Sequence, residues 1–188
     1  MASWRSIASI LLLAVCAGCS HPPPETNLWV SRFVLTDQTG ADFNSDSLFT
    51  HVWVANFMFT NCPGPCPRMS SQMREVQTAL AGQDVKLISM TVDPDRDTPE
   101  KLAKYAAFYG ATPGVWYFLT GPRETLNHLG KDDFKLNSVD GTFDHSTRFA
   151  LVDRKYEIRG FYLTSEPDAI QRLIADARML LKESIPHR

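Results

Sequence analysis

The chain has 188 residues, 44% hydrophobic and 21% charged, with a formal net charge of -2. That is globular composition, long enough for one domain with a real core and too short for two of ordinary size. The near-neutral charge, without any Lys/Arg-rich block, excludes the electrostatic footprint of a nucleic-acid binder.

The first 18 residues read as a targeting segment rather than as fold. Arg5 gives a positive start, and residues 7–17 form an apolar run too short to span a bilayer comfortably. The run closes on Val15-Cys16-Ala17-Gly18-Cys19-Ser20, which resembles a bacterial lipoprotein signal cleaved before Cys19, whose sulfur then carries the lipid. Cys16 stands where Leu is usual, and an ordinary secretory signal or a short membrane anchor are the other readings. All three place the folded part outside the cytoplasm; the lipoprotein reading makes it membrane-anchored on the periplasmic side. Residues 19–27 are Pro-rich and polar and read as an extended tether, and residues 28–188 as the folded domain.

Within the domain, residues 29–35 alternate apolar side chains with Ser31 and Arg32 and predict a strand. The turn Asp37-Gln38-Thr39-Gly40 predicts an opening hairpin. Residues 51–59 are apolar and β-prone, a predicted central strand. Beyond Arg68, Met69, Met73, Val76 and Leu80 recur at helical spacing up to a stop near Gly82. Residues 85–92 predict the next strand. Thr98 is the predicted cap of a helix with Pro99 at its first position, ended by Gly110. Residues 115–119 predict a strand, 123–129 a short helix, and 131–143 a loop with room for a hairpin. Residues 146–152 and 156–163 predict two strands joined at Asp153-Arg154-Lys155. Ser165 with Asp168 makes a capping box for a last helix, whose buried stripe is Ile170, Leu173, Ile174, Ala177, Leu180 and Leu181. A βαβ half followed by an antiparallel ββα half, with cysteines at the first helix, is the thioredoxin-like arrangement. The predicted class is therefore α/β, a central mixed sheet flanked by helices with an N-terminal hairpin extension.

The chemistry gathers at Phe57-Met58-Phe59-Thr60-Asn61-Cys62-Pro63-Gly64-Pro65-Cys66-Pro67, where a buried strand hands over to a helix. With Cys16 gone in the signal and Cys19 lipidated, Cys62 and Cys66 are the cysteines left in the folded part. If both lie on the first helical turn, their spacing puts both sulfurs on one side. Cys66, near the helix N-terminus, is then expected to favour thiolate. A structural disulfide is the ordinary expectation in an oxidising compartment. So short a loop removes little unfolded-state entropy, however, and reactivity explains the pair better: a soft-metal site or a redox couple. Asp144-His145-Ser146-Thr147 lies just before the final hairpin, where thioredoxins carry a cis-proline. A histidine there is placed to reach the sulfurs. Two thiolates and one imidazole suit Cu(I), admit Cu(II) and do not exclude Zn(II).

The segment 57–67, the run Val92-Asp93-Pro94-Asp95-Arg96-Asp97-Thr98-Pro99, and Asp144-His145-Ser146 with Leu151-Val152-Asp153 recur in this order in the SCO/SenC family, which the chain resembles over residues 33–185. The resemblance implies a membrane-tethered, thioredoxin-like protein that carries copper on Cys62, Cys66 and His145. It implies service to the dinuclear copper centre of cytochrome c oxidase, by delivering copper to subunit II, by reducing its cysteines, or both. An upstream copper donor or thiol reductase is the other implied partner. Many family members have Asp-Val before the second cysteine; Gly64-Pro65 stands there instead, which removes a carboxylate and stiffens the loop.

Other candidates have plainer readings beside functional ones. Asp93 is either an outer hydrogen-bond acceptor or proton carrier for the site, or a turn residue before Pro94. Arg96 and Asp97 are predicted to form a local ion pair, and Thr60 either to bond a sulfur or to end its strand. His21, His51, His128 and His187 read as tether, surface or structural residues. Met58, Met69, Met73 and Met90 read as core filling, and Trp29, Trp53 and Trp116 as core or rim aromatics. Two further functions remain open to the cysteines alone: an extracytoplasmic thiol–disulfide oxidoreductase or thiol peroxidase with Cys62 attacking, and a binding module with an inert disulfide.

Overall fold

The computed structural model describes residues 26–136 and 147–184. Among these, eight strands form one mixed sheet in the order β1-β8-β7-β4-β5-β6-β2-β3. They are β1 (Leu28–Trp29), β2 (Val34–Asp37), β3 (Asp42–Asn44), β4 (Val52–Met58), β5 (Val85–Thr91), β6 (Trp116–Thr120), β7 (Arg148–Val152) and β8 (Glu157–Leu163). The helices are α1 (Cys66–Ala79), α2 (Pro99–Phe108), α3 (Arg123–His128) and α4 (Ala169–Leu180).

All seven residues of β4 are buried, because the strand is central and both sheet faces are covered. It pairs parallel with β5, from Val52 opposite Val85 to Met58 opposite Thr91, and β5 pairs parallel with β6. Successive crossovers in one direction put their helices on one face. The Ser70 and Tyr105 hydroxyls join α1 to α2 at 3.0 Å, and Arg178 of α4 donates to the Ala79 carbonyl at the end of α1. On the other face Trp53 and Phe57 meet the edge of the Phe134 ring, which follows a π-helical turn at Leu129–Asp133. β7 runs antiparallel to β4, with Ala150 opposite Ala55. It therefore starts at the edge of the sheet where β4 ends, which is also where α1 begins.

The predicted strand over 29–35 is two strands on opposite sides of the sheet: β1 pairs with β8, and β2 with β6 and β3. Val30, Phe33 and Leu35 are buried, but Val30 and Phe33 lie three residues apart, so no single period-two alternation runs through the segment. Between the two strands, however, the Val30 N–H goes to the Tyr156 carbonyl and the Phe33 N–H to Ser45 Oγ. Period-two patterning reports which side chains point inward, not which neighbour receives the backbone. The predicted hairpin forms as β2–β3. Asp37 takes three hydrogen bonds from Thr39 and Ala41 in its turn, and Gly40 supplies a φ of +85°.

Thr98 and Pro99 start α2 and Gly110 ends it at a φ of +68°, although no helix N–H reaches the Thr98 side chain. Ser165 does not cap α4. The helix starts one turn later, after Asp168, and Arg172 draws the Asp168 carboxylate to itself at 3.3 Å. The predicted stripe of α4 is buried except for Leu181, which is half-buried. Of the loop predicted at 131–143, the part from 137 lies outside the described residues, as do the signal segment and the tether as far as residue 25.

Candidate functional site: a paired dithiol at the strand-to-helix junction

Cys66 is the first residue of α1 and is fully buried; Cys62 lies before the helix, 8% exposed. The condition that both lie on the first helical turn is thus not met. Pro65 occupies the cap position at a φ of -75° and Pro67 sits in the first turn, where a missing N–H costs nothing. The Met69 N–H to the Pro65 carbonyl, at 2.9 Å, is the first helical hydrogen bond. The turn Pro63-Gly64-Pro65 folds Cys62 back, and the two thiols are hydrogen-bonded to each other.

The expected thiolate at Cys66 is overturned. Burial, first, and the bond to Cys62, second, push its thiol well above the usual range. A backbone hydrogen bond from Phe59 pulls the other way, and the charges of Cys62 and Asp97 add to the upward push. Desolvation outweighs the helix dipole because the sulfur lies inside the core rather than at its rim. The two sulfurs form a mutually bonded pair, and burial disposes the Cys66 thiol to keep its proton.

Around this pair stands a cluster that the sequence reading did not find. Asp97, 1% exposed, accepts from the Thr60 backbone N–H at 3.1 Å, from Thr60 Oγ1 at 2.5 Å and from Thr91 Oγ1 at 2.6 Å. Thr60 therefore serves Asp97. Arg96 pairs not with Asp97 but with Asp93, at 3.1 Å. Asp93 is buried at the end of β5, with its N–H on Thr91 Oγ1. The available signal was two threonines closing neighbouring strands; which of three aspartates in a polar run they would bind is a tertiary matter.

His145 lies outside the described residues. The described residues nearest to it in sequence are held by hydrogen bonds. The Thr147 carbonyl takes both the N–H and Oγ1 of Thr164, and Thr164 in turn receives Arg68 and Gln72 of α1. Arg148 lies over the Phe161 ring at 4.0 Å and donates to the Phe134 and Lys135 carbonyls. Among the described residues no group of three or more His, Cys, Asp and Glu side chains is arranged to hold a metal, and no helix is long and apolar enough to cross a membrane. His51 pairs with Asp84, and His128 with Asp132 at 2.8 Å; Met58, Met69, Met73 and Met90 are fully buried core residues. Trp53 and Trp116 are core, and Trp29 is a half-exposed edge residue. His21 and His187 lie outside the described residues.

A thioredoxin-like sheet that delivers two adjacent thiols at the end of its central strand defines a class of dithiol proteins. Within that class, the profile of the SCO1/SenC family matches residues 21–182, and the chain belongs to this family. A SCO1 protein homolog from Bacillus subtilis is 40% identical over 175 residues, 89% of this chain and 90% of that one. The structure of a SCO1/SenC family lipoprotein from Bacillus anthracis superposes with a TM-score of 0.78 at 30% identity, covering 86% of this chain and 100% of the other. That of BsSco, a member of the Sco family of cytochrome c oxidase assembly proteins in which a disulfide switch is identified, superposes at 0.76 with 31% identity, covering 85% and 97%. A Stutzerimonas stutzeri relative, 30% identical over 155 residues that make up 77% of this chain and 74% of its own, has a name that proposes copper binding.

Proposed function

We propose that this chain is a copper carrier for assembly of cytochrome c oxidase, taking copper on Cys62 and Cys66 with His145 as third ligand and passing it to the dinuclear centre of subunit II. The observation that carries this reading is the pair of thiols hydrogen-bonded to each other at the junction of β4 and α1. Two soft sulfurs at one point select a soft, thiophilic cation, and one imidazole completes a site for Cu(I) or Cu(II). Thr147 is pinned beside α1 and only one residue separates it from His145, so about 7 Å of backbone is available to the ring from that anchor. Asp93 is the proposed outer hydrogen-bond partner. The relatives named for copper binding and for oxidase assembly support cargo and client. The Bacillus anthracis lipoprotein supports an anchor at Cys19 and a domain outside the cytoplasm.

Because burial favours the protonated Cys66 thiol, copper entry releases its proton, and affinity rises with pH. The same pair supports a second service, favoured by the disulfide switch of BsSco. Cys62, the more exposed sulfur, attacks a recipient disulfide. Cys66 then displaces the recipient thiol, leaving a Cys62–Cys66 disulfide and a reduced recipient.

Copper titration of the reduced domain tests the reading. The expected result is one copper per chain, no tight site in Cys62→Ser or Cys66→Ser, and at least about tenfold weaker binding with a changed spectrum in His145→Ala. An unchanged affinity and spectrum in His145→Ala removes the histidine from the ligand set. Disulfide turnover in a protein that holds no copper moves the function to the oxidoreductase class.

A further inference from the structure

Asp97 is a carboxylate that the copper reading does not use. It is 1% exposed, and no cation pairs with it among the described residues. A buried charge of this kind persists only where hydrogen bonds replace its water. Here the replacement is three donors from two elements: the Thr60 N–H and Oγ1 at the exit of β4, and Thr91 Oγ1 at the end of β5.

The backbone that Asp97 grips serves both sulfurs. Thr60 stands two residues before Cys62, and the preceding Phe59 backbone is hydrogen-bonded to Cys66. The prolines stiffen the cysteine loop but give it few N–H groups with which to anchor itself to the sheet. Pro63 and Pro65 remove two of its N–H groups, and a Cβ added at Gly64 would meet nothing within 4 Å. The stretch that fixes where Cys62 stands against Cys66 is thus clamped from outside, by a residue 37 positions away.

We propose that Asp97 is the positioning residue of the dithiol: by holding Thr60 it sets the separation of the Cys62 and Cys66 sulfurs and favours the reduced pair over the disulfide. The inference rests on this pair being the working site, and not on which metal it holds. In the disulfide the sulfurs draw together to about 2.05 Å, well inside hydrogen-bonded contact. A clamp matched to the dithiol therefore resists oxidation.

The test equilibrates the purified, copper-free domain with a glutathione buffer and reads the ratio of dithiol to disulfide. The reaction is balanced as dithiol plus glutathione disulfide giving protein disulfide plus two glutathione. Asp97→Ala is expected to shift the ratio toward disulfide by about fivefold, the size of one net hydrogen bond. Asp97→Asn, which keeps the shape and an acceptor for Thr60, is expected to stay within about twofold. Thr60→Val, which loses only the hydroxyl donor, is expected to shift in the same direction as Asp97→Ala and decides the matter if Asp97→Ala does not fold. A purely structural Asp97 lowers the melting temperatures of the oxidised and reduced forms equally and leaves the ratio unchanged; that result overturns the proposal. So does a shift in Asp97→Ala with none in Thr60→Val. The expected shifts in a domain that fails to take up copper leave the clamp standing and remove only the copper reading.

Discussion

At the scale of single residues, burial decides protonation. Tyr105 and Tyr162 are both pushed above the ordinary tyrosine value of 10.0, chiefly because their hydroxyls are taken out of water. For Tyr162 the bond it donates to Asp176 at 2.7 Å adds to the effect. In the folded chain these hydroxyls keep their protons, whereas in the unfolded chain they ionise near the ordinary value. Above about pH 10 the unfolded state therefore binds fewer protons, and stability falls as pH rises. Urea unfolding of the disulfide form, in which Cys66 does not titrate, should show this loss from pH 10 upward. For Tyr162 it should approach about 1.4 kcal/mol per pH unit. Tyr162→Phe should be weaker at neutral pH for want of the Asp176 bond, and its alkaline slope should be shallower by one tyrosine. The same principle undid the expected thiolate at Cys66: a helix N-terminus and a neighbouring cysteine are visible in sequence, but the depth of a sulfur is not.

At the scale of elements, α4 shows how a local signal yields to a distant one. The Ser165–Asp168 pattern reads as a start signal, yet the end of the helix is the better secured. Arg154, buried in the β7–β8 turn, donates to the Leu180, Leu181 and Glu183 carbonyls, and its Nε to the Thr50 carbonyl. The Leu181 and Glu183 carbonyls lie past the last helical N–H, while the Leu180 carbonyl also takes the Glu183 N–H. Arg154→Leu should lower unfolding free energy by about 3 kcal/mol, since it strands several acceptors around a buried site at once. Denaturant titration checks it; a change below about 0.5 kcal/mol would mean that water satisfies those carbonyls. The central strand, the two crossover helices, the final hairpin and the stripe of α4 were legible because each repeats a period over enough residues to declare itself. The split of 29–35 into β1 and β2 was not, since two short apolar stretches on either side of Ser31 and Arg32 look like one strand.

At the scale of the whole molecule, the dithiol lies at an edge of the sheet where α1, the end of β5 and the start of β7 meet, so metal uptake and global stability are linked. A ligand that binds only the folded form raises stability by RT ln(1 + [L]/Kd), about 2.7 kcal/mol at a free concentration 100 times Kd. Copper should raise the melting temperature of the reduced domain, a soft-metal chelator should reverse it, and Cys66→Ser should abolish the shift. Calorimetry with and without metal measures all three.

Sequence by itself determined most of the elements, the pair Cys62 and Cys66 at the strand-to-helix junction, and the family that three spaced motifs announced. These are local: they rest on side-chain chemistry and on periods within a single element. Only the tertiary structure decided that β1 and β2 lie on opposite sides of the sheet, that Cys66 is buried and protonated, and that Asp97 rather than Asp93 holds Thr60. Those outcomes depend on which residues meet across long separations, 37 positions in the case of Thr60 and Asp97. A buried carboxylate and an exposed one are the same letter until the chain closes over one of them.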